Sequence, residues 1–113
     1  MTDTVARKPF TIPIEPGEGF QRLLPGEPST CGMKSGRVSL AEGEECGWHS
    51  TKRFEETLVV LEGRGKGVTR GDPDREMTFE APCVVYVPPH TEHNMIAIGP
   101  GPLRYVYTVA PTE

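Results

Sequence analysis

Residues 43–63 read GEECGWHSTKRFEETLVVLEG, and this stretch carries the strongest structural signal in the chain. His49 is followed six and seven residues later by Glu55 and Glu56, which stand directly before the apolar residues 57–61. Those apolar residues predict a strand buried in a core. A charged side chain at the edge of a core needs a partner, because an unpaired buried charge costs free energy. The pattern therefore indicates a bound metal ion or a buried polar site.

A second polar cluster, VPPHTEHN at residues 87–94, contains His90 and His93. If this cluster meets the first stretch inside one fold, two imidazoles and a carboxylate share a common centre. The residues alone leave Glu55 and Glu56 open as the carboxylate, because slippage of a strand by one residue exchanges its two faces.

Length and composition predict one compact domain over residues 1–113, since 113 residues suffice for a single core. The 13 glycines and 12 prolines separate short apolar segments, as is typical of an all-β domain with many tight turns. No segment has a helical apolar period, and about eight or nine short strands is the number found in a jelly roll. The predicted strands are residues 37–41, 48–54, 56–61, 66–70, 76–79, 83–87, 93–98 and 103–109.

The first third of the chain gives weaker signals. Residues 1–9 are predicted to be a mobile tail, and residues 10–14 (FTIPI) a short edge strand that lies against a partner subunit. Residues 15–36 are rich in glycine and proline and predict a loop that covers the core.

Charge and cysteine content narrow the class of function. The formal charge is −4 and the basic residues form no stripe, which argues against nucleic-acid binding. No apolar stretch approaches the length that spans a bilayer, so we expect no membrane contact and a small-molecule ligand or substrate instead. The chain begins without the apolar segment of a secretory signal, and its three cysteines are widely separated and odd in number. These features predict a cytoplasmic protein.

Residues 43–63 resemble the first motif of the cupin superfamily: Gly, five residues, His-x-His, three or four residues, Glu, six residues, Gly. Here Gly43 precedes His49 by that spacing, and Glu56 precedes Gly63. Residues 82–94 resemble the second motif, which is built around Pro-x-Gly-x-x-His, with His93 at the ligand position. The resemblance covers residues 37–109 and is to small single-domain, RmlC-like barrels of the cupin 2 type. It implies a double-stranded β-helix (jelly-roll barrel) and a homodimer.

The resemblance also implies metal ligands at His49, Glu56 and His93, with the spacing to Gly63 favouring Glu56. The ion would be one divalent transition metal: Fe, Mn, Ni or Zn. Two histidines and one carboxylate hold iron in non-haem oxygenases and zinc in several hydrolases. The resemblance therefore implies a metal-dependent enzyme, a dioxygenase or isomerase acting on a small polar molecule. The second histidine of the first motif is replaced by Thr51, which removes one expected ligand.

Two alternatives follow from that departure. One is a non-catalytic barrel that binds a small ligand and has lost its metal. The other is zinc held partly by Cys46 or Cys83. His90 is a candidate acid or base behind the metal ligands, although its position after two prolines predicts the rim of the site.

Several further residues are candidates for the pocket. The predicted wall residues are large and apolar or aromatic: Trp48, Met95, Tyr105 and Tyr107. The candidate receptors for an anionic substrate are Lys52, Arg53 and Arg104.

Overall fold

In a computed structural model, residues 7–112 are described, and they form nine β-strands and no helix. Residues 1–6 of the predicted tail lie outside the described residues. None of the described residues belongs to a helix that could cross a membrane. The strands are β1 (Gly19–Pro25), β2 (Lys34–Leu40), β3 (His49–Ser50), β4 (Phe54–Glu62), β5 (Arg64–Arg70), β6 (Arg75–Glu80), β7 (Cys83–Val87), β8 (Glu92–Ala97) and β9 (Leu103–Pro111).

Two antiparallel sheets enclose the core and confirm the all-β jelly-roll prediction. One sheet has the order β1-β2-β9-β4-β7, and the other has the order β3-β8-β5-β6. Burial of apolar side chains between the sheets is the main favourable contribution to folding. The buried cluster consists of Leu40, Leu58, Val60, Val85, Val87, Met95, Ala97, Leu103 and Tyr105.

Strand alternation places the polar candidates on the inner faces. Leu58 and Val60 are buried on the same face of β4 as Glu56, as the sequence predicted. Met95 is buried on the same face of β8 as His93. Glu56 and His93 therefore each head a row of core residues, whereas His49 is exposed on the two-residue strand β3.

The prediction of a covering loop over residues 15–36 is wrong, because β1 lies within that segment and pairs with β2. The segment GFQRLLP carries apolar side chains on both faces, so it lacks the alternation expected of a half-buried strand. Phe20 stacks on Tyr107 with ring centroids 6.3 Å apart and stays largely exposed, whereas Leu23, three residues further on, is buried.

The predicted edge strand at residues 10–14 is also absent: these residues are in no strand. One glutamine side chain binds this part of the chain to β1 in place of a strand ladder. Gln21 accepts a hydrogen bond from the Glu15 amide at 2.8 Å and donates one to the Pro13 carbonyl at 3.1 Å. Pro13 has no N–H to give to a ladder.

The strand predicted over residues 48–54 is much shorter, since only His49 and Ser50 are extended before a turn. Lys52 adopts a left-handed backbone conformation with φ of 55°, which ends the strand. The Phe54 amide then donates to the Thr51 carbonyl at 3.0 Å, and β4 begins. This turn separates His49 from Glu56 and sends them to different sheets.

The connection after β4 is shorter than the predicted strands 56–61 and 66–70 imply, because β4 extends to Glu62 and β5 already begins at Arg64. Gly63 alone, with φ of 91°, joins these two strands of different sheets. A Cβ atom at this position would overlap the backbone carbonyl of Pro102, so only glycine fits.

Candidate metal centre

Three side chains from three strands converge at one end of the space between the sheets. His49 on β3 pairs directly with His93 on β8, and their ring centroids are 4.1 Å apart. Glu56 reaches them from β4 in the opposite sheet. One ligand atom from each of the three lies within 4.8 Å of the other two. The two polar stretches of the sequence therefore meet, as predicted.

Backbone carbonyls orient both imidazoles. Nδ1 of His93 lies 3.0 Å from the Thr91 carbonyl, and Nδ1 of His49 lies 2.9 Å from the Gly47 carbonyl. A carbonyl oxygen only accepts, so each Nδ1 carries the proton and each Nε2 is left free for another partner. Metal-binding histidines are commonly fixed by this kind of hydrogen bond.

The closest contact in the centre joins Nε2 of His93 to Oε1 of Glu56 at 3.0 Å. The His93 side chain is 1% exposed and the Glu56 side chain is 9% exposed. A carboxylate oxygen and an unprotonated imidazole nitrogen are both acceptors, so this contact requires a cation between them. A proton or a metal ion meets that requirement.

Two opposing effects act on the pKa of His93. Burial by itself lowers the pKa, because it disfavours the imidazolium ion. The hydrogen bond to Glu56, the hydrogen bond to the Thr91 carbonyl and the charge of Glu56 outweigh burial and raise the pKa above its ordinary value. Below this raised pKa and without metal, a proton lies between His93 and Glu56.

The donor set also fits a divalent transition metal. Two imidazole nitrogens and one carboxylate oxygen are ligands that Fe, Mn, Ni and Zn accept. Thr51, which replaces a histidine of the motif, does not belong to this set of metal ligands. Its buried hydroxyl donates to the Pro88 carbonyl at 2.8 Å and accepts from the Thr91 amide at 3.0 Å. Thr51 thus fixes the loop that leads into His93.

A cavity of about 480 Å³ adjoins the three residues. Its volume lies within the range of small-molecule sites, about 300–1,000 Å³. Of the four wall residues predicted from sequence, Met95, Tyr105 and Tyr107 line the cavity. The other lining residues are Phe20, Lys34, Val38, Cys46, Ser50, Thr51, Lys52, Phe54, Leu58 and Val109, together with the three candidate ligands.

Trp48 does not line the cavity. Its side chain is 40% exposed, and the guanidinium of Arg70 lies 3.8 Å from the ring centroid. Trp48 is therefore part of a surface cation–π pair, and the prediction that it forms the pocket wall is wrong.

Glu55 and His90 lie outside the centre. Glu55 is exposed and accepts a hydrogen bond from the Tyr86 hydroxyl at 2.9 Å, so Glu56 is the carboxylate that faces the histidines. His90 is exposed and does not line the cavity; its amide donates to the Lys52 carbonyl at 2.7 Å. This placement does not support an acid or base role for His90.

The two cysteine candidates differ. Cys46 lines the cavity, and its sulfur accepts a hydrogen bond from the Met95 amide at 3.3 Å. Burial raises the pKa of the Cys46 thiol, which disfavours the thiolate that zinc binds. Cys83 packs against the apolar core and does not line the cavity.

The three predicted anion receptors differ in their position relative to the cavity. Lys52 lines the cavity. Arg104 does not: it donates to Ser39 at 3.3 Å and pairs with Glu62 at 3.4 Å. Arg53 lies over the ring of Phe54, 4.7 Å from its centroid, and is also outside the lining.

Sequence reasoning missed Asn94, which is 2% exposed. Its side-chain oxygen accepts from the Gly47 amide at 2.9 Å, and its nitrogen donates to Glu45 at 2.9 Å. These bonds attach the segment before His49 to β8 and so set the distance between the two histidines. The available signal was an amide residue directly after His93, on the face of β8 opposite to His93 and Met95.

The fold and the site together define a class of protein: jelly-roll barrels in which two antiparallel sheets enclose a candidate His-Glu-His metal centre. The family model described as "Cupin domain" matches residues 36–109, and the chain belongs to the cupin family. No curated protein matches the sequence.

Solved structures agree with the family assignment at the level of the fold. An RmlC-like cupin from Methanocaldococcus jannaschii has a TM-score of 0.72 at 16% identity, with 96% of this chain and 94% of that chain covered. A cupin 2 conserved barrel domain protein from Salinispora arenicola has a TM-score of 0.71 at 20% identity, with 91% and 92% covered. The Cnp3 cupin domain of Schizosaccharomyces pombe has a TM-score of 0.71 at 23% identity; the match covers 81% of this chain and 63% of that domain.

Proposed function

We propose that the protein binds one divalent transition metal, Fe, Mn, Ni or Zn, through Nε2 of His49, the carboxylate of Glu56 and Nε2 of His93. We further propose that it uses the metal as an enzyme, a dioxygenase or isomerase, on a small polar molecule. The observation that carries the proposal is the convergence of the three ligand atoms within 4.8 Å, next to the cavity.

The chain's own residues have separate parts in this proposal. The carbonyls of Gly47 and Thr91 hold the imidazoles with Nε2 directed inward. The side chains of Leu58 and Met95 exclude water from the inner end of the cavity. Three protein ligands leave coordination positions open, and a bound divalent metal supplies Lewis acidity to a substrate oxygen or a water molecule.

The partners and compartment belong to the same proposal. A homodimer is supported by exposed apolar side chains where β4 and β7 pair, since such patches mark interfaces: Val59, Leu61, Val84 and Tyr86. A cytoplasmic location is supported by the absence of disulfides among its cysteines, which are all free.

The test is metal content after controlled loading. Protein stripped with chelator is reconstituted anaerobically with Fe(II), Mn, Ni or Zn, desalted and analysed by mass spectrometry of the metals. We expect about one equivalent for the wild type and a large loss in His49→Ala and His93→Ala. His90→Ala is the matched control, because His90 is exposed and outside the cavity. Wild-type metal content in both ligand variants would exclude the assignment.

A second candidate function is a metal-free barrel that binds a small ligand without catalysis. Two observations favour it: Thr51 uses its hydroxyl on the backbone, and a proton alone satisfies the pair formed by Glu56 and His93. Absence of stoichiometric metal from a folded, reconstituted protein would select this candidate.

A further inference from the structure

Lys34 is placed on the inner face of the five-stranded sheet, in the same row as a candidate metal ligand. Lys34 pairs with Val109, and Val109 also pairs with Glu56 on its other side. Residues directly opposite each other in neighbouring strands point to the same face. Adjacent strands are about 4.8 Å apart, so the Cα atoms of Lys34 and Glu56 are about 10 Å apart within this sheet.

Lys34 has no carboxylate partner. Among residues 7–112, the ion pairs involve neither Lys34 nor Lys52, yet both residues line the cavity and are exposed. The ammonium of Lys34 lies 5.5 Å from the ring centroid of Phe54, which keeps it over the cavity wall. Two exposed lysines without a carboxylate partner therefore belong to the wall of a largely apolar cavity.

An aromatic surface lies beside the row of Lys34, Val109 and Glu56, because Tyr107 pairs with Gly36 and Leu58 two residues further along the strands. Phe20 is 57% exposed and stacks on Tyr107 across the backbone of Gly36. A Cβ atom at Gly36 would lie 2.5 Å from the Phe20 ring and 2.8 Å from the Tyr107 ring, so glycine permits this packing. Exposed ring faces in a cavity suit a flat apolar ligand.

We propose that the cavity binds an organic carboxylate with a flat apolar body. Lys34, assisted by Lys52, binds the carboxylate at the mouth. Phe20 and Tyr107 contact the body, and the far end of the ligand points to the centre formed by the histidines and Glu56. This inference deepens the proposed function and rests on it for the role of the metal, but the lysine–carboxylate contact itself does not depend on bound metal.

The experiment compares benzoate with benzamide, which has the same shape without the charge. Both probes are titrated into ¹⁵N-labelled protein, metal-free and zinc-loaded, and amide shifts are followed by NMR. We expect benzoate to bind about tenfold more tightly than benzamide, because only benzoate makes a charge-assisted contact with the lysines. The amide shifts should occur at β2, β9 and the turn at Lys52. The zinc content of each sample is measured in parallel.

Variants locate the contact. Lys34→Gln is expected to reduce the preference for benzoate to about twofold or less, and Lys34→Arg to retain it. Lys8→Gln removes the same charge from an exposed position away from the cavity and should leave binding unchanged.

Equal affinity of the wild type for the two probes, or an unchanged preference in Lys34→Gln, would overturn the inference. If zinc is not retained but metal-free protein still prefers benzoate through Lys34, the proposed metal function fails and the carboxylate site stands. If zinc is retained at one equivalent and the preference for benzoate is absent, the carboxylate site fails and the proposed metal binding stands.

Discussion

Replacing Glu56 by glutamine removes the charge that faces His93 and keeps the size of the side chain. In metal-free protein below the ordinary imidazole pKa of 6.5, protonated His93 donates to the Glu56 carboxylate across 3.0 Å in a buried setting. Such charge-assisted bonds contribute about 1.5–3 kcal/mol and are about twice as strong as neutral ones. Glutamine still offers an amide oxygen, so the variant should lose about 1–1.5 kcal/mol at low pH.

The sign of the pH dependence follows from the direction of the His93 shift. Because the folded-state pKa is raised, the stability that this proton provides is fully present below pH 6.5 and is lost as pH rises through the folded-state pKa. Above that pKa, the unprotonated Nε2 faces a carboxylate in the wild type, whereas the amide group of glutamine can rotate and donate to it. The stability difference between Glu56→Gln and the wild type should therefore shrink or reverse at high pH.

Urea denaturation in EDTA at about pH 5.5 and about pH 9 measures this difference. At the lower pH the expected loss corresponds to a melting temperature lower by about 5 °C for a domain of this size. Glu55→Gln is the matched control, because Glu55 is exposed and bonds only the Tyr86 hydroxyl among its described hydrogen bonds. An equal loss of stability in Glu56→Gln at both pH values would refute the proton-bridged pair.

Three further predictions concern the supporting structure. Gly63→Ala should lower the free energy of unfolding by about 3 kcal/mol, because the methyl group overlaps a backbone carbonyl at a positive φ. Gly43 has φ of 88° but open space around it, so Gly43→Ala should lower it by only about 1 kcal/mol in the same denaturation assay. Thr51→Val should lose about 2 kcal/mol of stability, because it removes two hydrogen bonds between a buried hydroxyl and the backbone, whereas Thr51→Ser should retain most of the stability. Equal losses in the two variants would contradict the role of the Thr51 hydroxyl in fixing the loop before His93. Cys46 and Cys31 are both exposed, but iodoacetamide near neutral pH should modify Cys46 more slowly, because its raised thiol pKa lowers the thiolate fraction; faster modification of Cys46, measured by peptide mapping with mass spectrometry, would contradict this.

Much of the centre could be predicted because its residues lie on strands with a strict alternation. Glu56 starts a run in which every second residue is buried, and His93 starts another, so both side chains had to share a face with the core. The spacing to Gly63 distinguished Glu56 from Glu55, and the tight turn at Gly63 explains why that spacing matters.

The parts that sequence reasoning missed depend on contacts between distant segments. Strand β1 has no clear alternation and is held by pairing with β2 and by the stacking of Phe20 on Tyr107. Lys34 lies in a glycine-rich stretch that predicted only a loop, and its place opposite Glu56 follows from strand order. The side chain of Asn94 bonds residues more than forty positions away. Local propensity carries no information on such pairings.

Anomalous scattering from crystals grown after zinc loading tests the central claim most directly. Data collected on either side of the zinc absorption edge should give one difference peak per chain, about 2.0–2.2 Å from Nε2 of His49, Nε2 of His93 and a carboxylate oxygen of Glu56. A peak bound by other residues, or no peak at these three side chains in a crystal whose protein retains its zinc, would contradict the account.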